Sequence, residues 1–167
     1  MDIVRRAFYS FYHIPDNWRA AKVRNMGVIE GNRPASDNEW EEVKKGGDPA
    51  IQRWIDNQLD GKSLAIVLIG SDTAGRKWIN YEIKKAWNDK KGVLGVFIHN
   101  LDDKDGHQSA KGRNPFDNFT LPDKTSMASV VRAYDPPYIS SKYVYAHIQE
   151  NMADWIEEAI QIRREHE

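Results

Sequence analysis

Apolar residues along the chain form short, almost uninterrupted runs and longer segments with helical spacing. Residues 63–70 and 93–99 are two runs of strand length, and such runs are typical of parallel strands that are buried on both faces. The aromatic run 7–12 predicts a first strand, ended by Pro15, and residues 127–133 predict a further one. The pattern therefore predicts a sheet with two central, fully buried strands.

The segments between these runs carry apolar residues three or four positions apart, which predicts helices. Asp48 followed by Pro49 is a favourable helix start, because an aspartate can cap the first turn and proline suits its first position. The predicted helices cover residues 18–26, a short turn near Asp37, residues 48–60, residues 75–89 and a long segment from Ser140 or Ser141. Strands that alternate with helices predict an α/β fold, with a mostly parallel sheet, helices on both faces and a long C-terminal helix.

Two polar stretches interrupt this alternation. Residues 27–37 are rich in Gly, Asn, Pro and Ser and predict a loop. Residues 100–122 show no periodicity. A structureless loop of that length is uncommon, so we expect it to be functional or to contain short irregular elements.

Composition and charge narrow the classes of function. A length of 167 residues suits one domain, which we expect over residues 1–167. The net charge of −1 does not indicate a basic surface that would favour binding to nucleic acid or to an anionic membrane. The absence of cysteine excludes disulfides, thiolate metal sites and a cysteine nucleophile, and the five histidines are scattered. No secretion signal or long apolar segment is recognised, so we expect a cytoplasmic protein without a metal site.

Ligands bind at the carboxyl ends of the strands in parallel sheets, which directs attention to the loops after Tyr12, Gly70 and His99. In the helix that follows Gly70, Trp78 and Glu82 lie one turn apart on the flank of the apolar stripe. A carboxylate beside an indole there would be partly desolvated, which raises its pKa and strengthens its attraction for a developing cation. On spacing alone, an ordinary surface glutamate that pairs with Lys85 or with another neighbour across the surface is the better interpretation.

Several blocks of sequence together resemble the TIR domains, and most closely the TIR-like proteins of Thoeris antiphage defence. The first strand carries Phe-Tyr-Ser-Phe at residues 8–11, and Ser71, Trp78 and Glu82 resemble the serine, tryptophan and glutamate pattern of the third TIR helix. The remaining blocks are Val-Arg-Asn at 23–25, Val-Leu-Ile-Gly-Ser at 67–71, Arg-Lys-Trp-Ile-Asn-Tyr-Glu-Ile at 76–83 and Lys-Gly-Arg-Asn-Pro-Phe-Asp at 111–117. The resemblance extends over residues 7 to about 119.

This resemblance implies a flavodoxin-like α/β fold and cleavage of NAD at the nicotinamide–ribose bond, with NAD as substrate and no cofactor. It implies that the product is an ADP-ribose-derived signal, often cyclic, that activates a separate effector protein after phage infection. It leaves self-association of the chain open. Glu82 is then the catalytic glutamate and Trp78 stacks on a flat ring of the nucleotide.

Residues at the end of the first strand are candidates for contact with the substrate. Phe11 or Tyr12 could stack on the nicotinamide and Ser10 could hydrogen-bond it, although Phe11 could equally belong to the core. The remaining substrate-binding candidates are Arg19, which could contact phosphate, Ser71 and Asp37. Asp37 lies, together with Trp40, where TIR domains carry a loop over the pocket, although the two could instead be a local cap and a local core residue.

The competing hypothesis is a TIR-like or flavodoxin-like scaffold that works by self-association without catalysis. Glu82 discriminates between the two, because an adaptor need not keep a glutamate at that position beside Trp78.

Overall fold

The computed structural model describes residues 5–31 and 37–167, with the backbone alone at 37 and 38. Its parallel strands form one sheet in the order β2-β1-β3-β4-β5. The strands are β1 (Arg6–Ser10), β2 (Glu30–Gly31), β3 (Leu64–Ile69), β4 (Gly92–Phe97) and β5 (Ala133–Tyr134). Residues 64 to 69 pair in register with residues 92 to 97, so β3 and β4 form the buried centre of the sheet, as predicted.

Helices cover both faces of the sheet. They are α1 (His13–Arg24), α2 (Asp37–Lys45), α3 (Gly47–Leu59), α4 (Lys77–Asn88) and α5 (Ser141–Glu165). Buried residues of α1 and α5 pack on one face, and those of α3 and α4 pack on the other. The predicted α/β fold with a parallel sheet and a long C-terminal helix is therefore confirmed.

Alternation along β1 separates these two layers. Tyr9 belongs to the core on the side of α1 and α5, whereas Phe8 belongs to the core on the side of α3 and α4. Because side chains alternate along a strand, Ser10 points to the same side as Phe8. The end of β1 therefore presents a hydroxyl group to α4.

The structure corrects three details of the pattern. Helix α1 begins at His13 and not at residue 18. Pro15 lies in the first turn of the helix, where the missing N–H group of proline costs no hydrogen bond. Residues 27–37 include the short strand β2, which was predicted as loop. The strand predicted at 127–133 is instead a 3₁₀ helix, Met127–Ser129, followed by β5 at Ala133–Tyr134.

The irregular stretch 100–122 contains a second 3₁₀ helix, Pro115–Asn118, which the Asn114 side chain caps by accepting a hydrogen bond from the Phe116 N–H. Phe116 is fully buried against β4, where Gly95 leaves room for its ring. No helix in the described part of the chain is both long enough and apolar enough to cross a membrane.

Candidate functional site

A cavity of about 720 Å³ opens beyond the end of β1, on the face that carries α2, α3 and α4. Aromatic side chains form much of its wall, and charged side chains line it as well. Its lining residues are Phe8, Tyr9, Phe11, Tyr12, His13, Ile14, Asn17, Trp40, Glu41, Lys44, Trp54, Ile55, Arg76, Lys77, Trp78, Ile79 and Glu82. The cavity thus lies at the strand ends where the sequence places the ligand site.

Glu82 lies inside this cavity, on the second turn of α4. Its side chain is 8% exposed, and the Ser10 hydroxyl donates a hydrogen bond of 3.1 Å to its Oε1. Burial raises the pKa of Glu82 from 4.5 to about 8, while the hydrogen bond from Ser10 opposes the rise. Lys85 pairs instead with Asp89, so the structure contradicts the interpretation of Glu82 as a surface glutamate paired with that lysine.

Trp78 forms the wall of the cavity one turn before Glu82. Its ring meets the Tyr81 ring edge to face, with centroids 5.7 Å apart, and the Lys77 ammonium lies 5.0 Å from its centroid. The Tyr81 hydroxyl in turn donates to Asp56 of α3 at 2.7 Å. These contacts hold the indole at the cavity surface, and its stacking on a flat ring of the nucleotide stays a prediction.

Phe11 and Tyr12 also line the cavity, at the turn between β1 and α1. Phe11 packs partly against the core on the α1 side, and its ring lies 4.8 Å from that of His13. Phe11 therefore contributes both to the core and to the cavity wall. The Tyr12 ring is covered by the Arg76 guanidinium, 4.0 Å from its centroid.

The sequence left the lining residues Trp54 and Arg76 unassigned to the site. Trp54 of α3 meets Trp40 of α2 with ring centroids 5.8 Å apart, and both rings line the cavity. Trp54 belongs to the apolar stripe of its helix, so the sequence pattern predicts a core position for it and gives no sign that its ring lines a cavity. Arg76 could have been recognised from its position two residues before Trp78.

Arg19 is not placed to bind a substrate phosphate. It is 3% exposed and does not line the cavity. Its Nε donates to the Leu101 carbonyl at 2.7 Å and its Nη2 to the His107 carbonyl at 2.8 Å, while its Nη1 pairs with Asp16 at 3.2 Å. All three guanidinium nitrogens are thus engaged by the protein itself, and the predicted phosphate role is replaced by a structural one.

Ser71 and Asp37 complete the predicted set. Ser71 is exposed in the turn after β3 and does not line the cavity, so the structure does not bring it together with Glu82. The side chain of Asp37 lies outside the described residues. Nor does any group of three or more His, Asp or Glu side chains lie close enough, over residues 5–31 and 39–167, to hold a metal ion.

The parallel α/β sheet and the cavity at its carboxyl edge, with a buried glutamate among aromatic rings, define a TIR-like domain. The chain belongs to the family of the Thoeris protein ThsB, TIR-like domain, whose sequence model matches residues 8–103. This range includes Ser10, Trp78 and Glu82, whereas the block at 111–117 lies beyond it. The predicted family is confirmed.

A relative from Bacillus cereus (strain MSX-D12) is 38% identical over 121 residues. It bears the name "Putative cyclic ADP-D-ribose synthase ThsB1". The similarity covers 69% of this chain and 62% of the relative, so the chain spans less than two thirds of the relative's length.

Proposed function

We propose that this protein is a Thoeris enzyme that cleaves NAD at the nicotinamide–ribose bond and converts the ADP-ribose part into a cyclic signal. The observation that carries the proposal is the Glu82 carboxyl, buried in an aromatic cavity and hydrogen-bonded to Ser10. The name of the Bacillus cereus relative supports it. The reaction takes place in the cytoplasm, phage infection triggers it, and the product acts on a separate effector protein.

The chemistry asked of the cavity is the stabilisation of a cation. When the C–N bond breaks, its electron pair leaves with nicotinamide as a neutral ring, and the ribose carbon gains positive charge. The ionised Glu82 carboxylate, in a cavity of low dielectric constant, stabilises this charge far more strongly than water would. A nitrogen of the adenine ring then attacks the ribose carbon, and a proton is released after the new bond forms.

The protonation state of Glu82 determines whether its carboxyl group can stabilise the positive charge on the ribose. With a pKa of about 8, most of the carboxyl groups carry a proton at neutral pH in the unliganded protein. The nicotinamide ring of NAD carries a positive charge, and a positive charge close to a carboxyl group favours its ionised form. Binding of NAD therefore prepares the carboxylate that the reaction needs.

Aromatic rings give the cavity its second property. Trp78 offers a flat surface for one ring of the dinucleotide, and Trp40 and Trp54 add two further rings to the wall. Exclusion of water favours attack by the adenine of the same molecule over hydrolysis. We therefore propose cyclisation rather than simple hydrolysis, with Trp40 and Trp54 keeping water away from the ribose.

The test is incubation of wild type and the Glu82→Gln variant with NAD, with nicotinamide release measured by chromatography. Lysate from infected cells is added in a parallel arm, because a phage component is the proposed trigger. We expect release from the wild type and at least a hundredfold less from Glu82→Gln, a loss of about 3 kcal/mol or more of transition-state stabilisation. Mass spectrometry then identifies the product.

Two results would overturn the proposal. Equal release by both proteins would remove Glu82 from the mechanism. No release by the wild type in either arm would favour the non-catalytic scaffold that acts by self-association.

A further inference from the structure

Three cationic side chains line the cavity: Lys44, Arg76 and Lys77. Each pairs in the unliganded protein with an exposed acid, respectively Glu41, Asp72 and Asp48. Exposed ion pairs of this kind are weak, so an anionic ligand can compete for these cations.

Arg76 is held in a defined position on the wall. Its guanidinium lies over the Tyr12 ring at 4.0 Å from the centroid. Its Nε donates to the Asp72 carbonyl at 3.1 Å, and its Nη2 pairs with the Asp72 carboxylate. For Nη1 the described part of the chain provides no partner, so both of its N–H groups are available to a ligand.

The other two cations are less suitable. Lys77 is 65% exposed and pairs with Asp48. Lys44 is 45% exposed, pairs with Glu41 at 3.1 Å, and lies 5.9 Å from the centroid of Trp40. A guanidinium has a planar set of donors that matches phosphate oxygens in pairs, whereas an ammonium acts as a point charge.

We propose that Arg76, supported by the Tyr12 ring, binds the diphosphate group of the dinucleotide and so positions the ribose against Glu82. This inference deepens the proposed function and rests on it. Arg76 directly precedes α4, which has no side-chain cap at its N-terminus, so the positive end of that helix adds to the attraction. The role that the sequence suggests for Arg19 thus belongs to Arg76.

Asp72 competes with the diphosphate for the same guanidinium. Its side chain is 64% exposed, so loss of its charge leaves no unpaired buried group. An Asp72→Asn substitution keeps the carbonyl that holds the Arg76 Nε but removes the competing carboxylate. Because exposed ion pairs contribute up to about 1 kcal/mol, we expect Asp72→Asn to bind the diphosphate roughly two- to fivefold more tightly.

The experiment is calorimetric titration with ADP-ribose, which contains the diphosphate but no nicotinamide bond to cleave, and with adenosine, which has no phosphate. We expect Arg76→Gln to weaken ADP-ribose binding about tenfold or more, as for a lost hydrogen bond to a charged group, and adenosine binding less than twofold. Arg53→Gln, which removes an exposed arginine of α3 outside the cavity, is the matched control and binds as wild type does.

The outcomes separate this inference from the proposed function. If Arg76→Gln and wild type bind ADP-ribose equally while nicotinamide release still depends on Glu82, the assignment of Arg76 is wrong and the proposed function stands. If wild type binds neither ADP-ribose nor NAD, both are wrong. Binding by Asp72→Asn that is equal to or weaker than wild type would overturn the competition between Asp72 and the diphosphate.

Discussion

At the scale of single residues, the surroundings of Glu82 determine the pKa of its carboxyl group. It is buried by the aromatic wall, and Ser10 supplies one hydrogen bond to it. A hydrogen bond to the ionised form lowers a carboxyl pKa, whereas burial raises it. Because burial is the larger effect, the pKa of Glu82 is raised to about 8.

The rate of catalysis by Glu82 should therefore depend on pH in the range below about 8. The carboxylate form is present above the pKa of about 8 and is lost as the pH falls below it. We expect kcat/KM for NAD, which reports on the free enzyme, to fall about tenfold per pH unit below this value and to level off above it. Ser10→Ala should move the midpoint to higher pH, because the carboxylate loses its donor.

The control for this profile is Ser10→Thr, which keeps the hydroxyl group and should keep the midpoint. The measurement is the initial rate of nicotinamide release at low NAD concentration between pH 6 and pH 9.5. A profile that is flat over this range, or a midpoint that Ser10→Ala leaves unchanged, would contradict the role of the Ser10–Glu82 pair.

The same pKa predicts a stability effect that does not depend on the proposed function. Between pH 4.5 and about 8 the folded state keeps a proton on Glu82 that the unfolded chain has released, so the folded state loses stability as the pH rises. Glu82→Gln cannot titrate. As the pH rises through this window, the free energy of unfolding of Glu82→Gln should increase relative to that of wild type by up to about 1.4 kcal/mol per pH unit.

Urea unfolding at pH 5, 6.5 and 8 measures this difference. Glu150→Gln changes an exposed glutamate of α5 and serves as the comparison. A difference between Glu82→Gln and wild type that does not change with pH would show that the Glu82 carboxyl is not protonated in the folded state.

Elements are joined at the carboxyl edge of the sheet by buried polar contacts. Arg19 connects α1 to the loop after β4 through the carbonyls of Leu101 and His107. Asp16 is fully buried beside Gly70, where any side chain would overlap its carboxylate. The Asp16–Arg19 pair therefore fixes α1 against the ends of β3 and β4.

Loss of Arg19 should be costly because it leaves the Asp16 carboxylate buried without its partner. We expect Arg19→Leu to lower the free energy of unfolding by about 3 to 5 kcal/mol. The double variant Asp16→Leu with Arg19→Leu should lose less than Arg19→Leu alone, since no buried charge remains. Urea unfolding of the two single variants and the double variant measures the coupling, and strictly additive losses would argue against a buried ion pair.

Elements differ in how far the sequence reveals them. Helix α4 and its Trp78–Glu82 flank follow from helical spacing, and β3 and β4 follow from uninterrupted apolar runs. Strands β2 and β5 have two residues each, too few to show any periodicity. The role of Arg19 depends on carbonyls 82 and 88 positions away, which no local pattern contains.

The whole molecule brings the site together from distant parts of the chain. The cavity joins the end of β1 to α2, α3 and α4, so its lining residues extend from Phe8 to Glu82. The sequence could predict that a ligand site would lie at the carboxyl edge of the sheet, because parallel strands place their carboxyl ends together. It could not predict that Trp54 faces the cavity, because its ring fits the apolar stripe of α3 and therefore a core position.

The wall formed by Trp40 and Trp54 decides, in the proposed reaction, between cyclisation and hydrolysis. The reactive ribose can be attacked by adenine or by water, and water needs a path into the cavity. Trp40→Ala removes a half-buried ring from this wall and opens such a path. We expect the ratio of linear ADP-ribose to cyclic product to rise about tenfold or more, as an advantage near 1.4 kcal/mol for the intramolecular attack is lost.

Trp18→Ala is the matched control, because Trp18 is 52% exposed on α1 and does not line the cavity. It removes the same ring from the molecule and should leave the product ratio unchanged. Mass spectrometry of the products from both variants gives the ratio directly. If Trp40→Ala lowered total turnover without changing the ratio, the tryptophan wall would serve to bind the substrate, and exclusion of water would not explain a cyclic product.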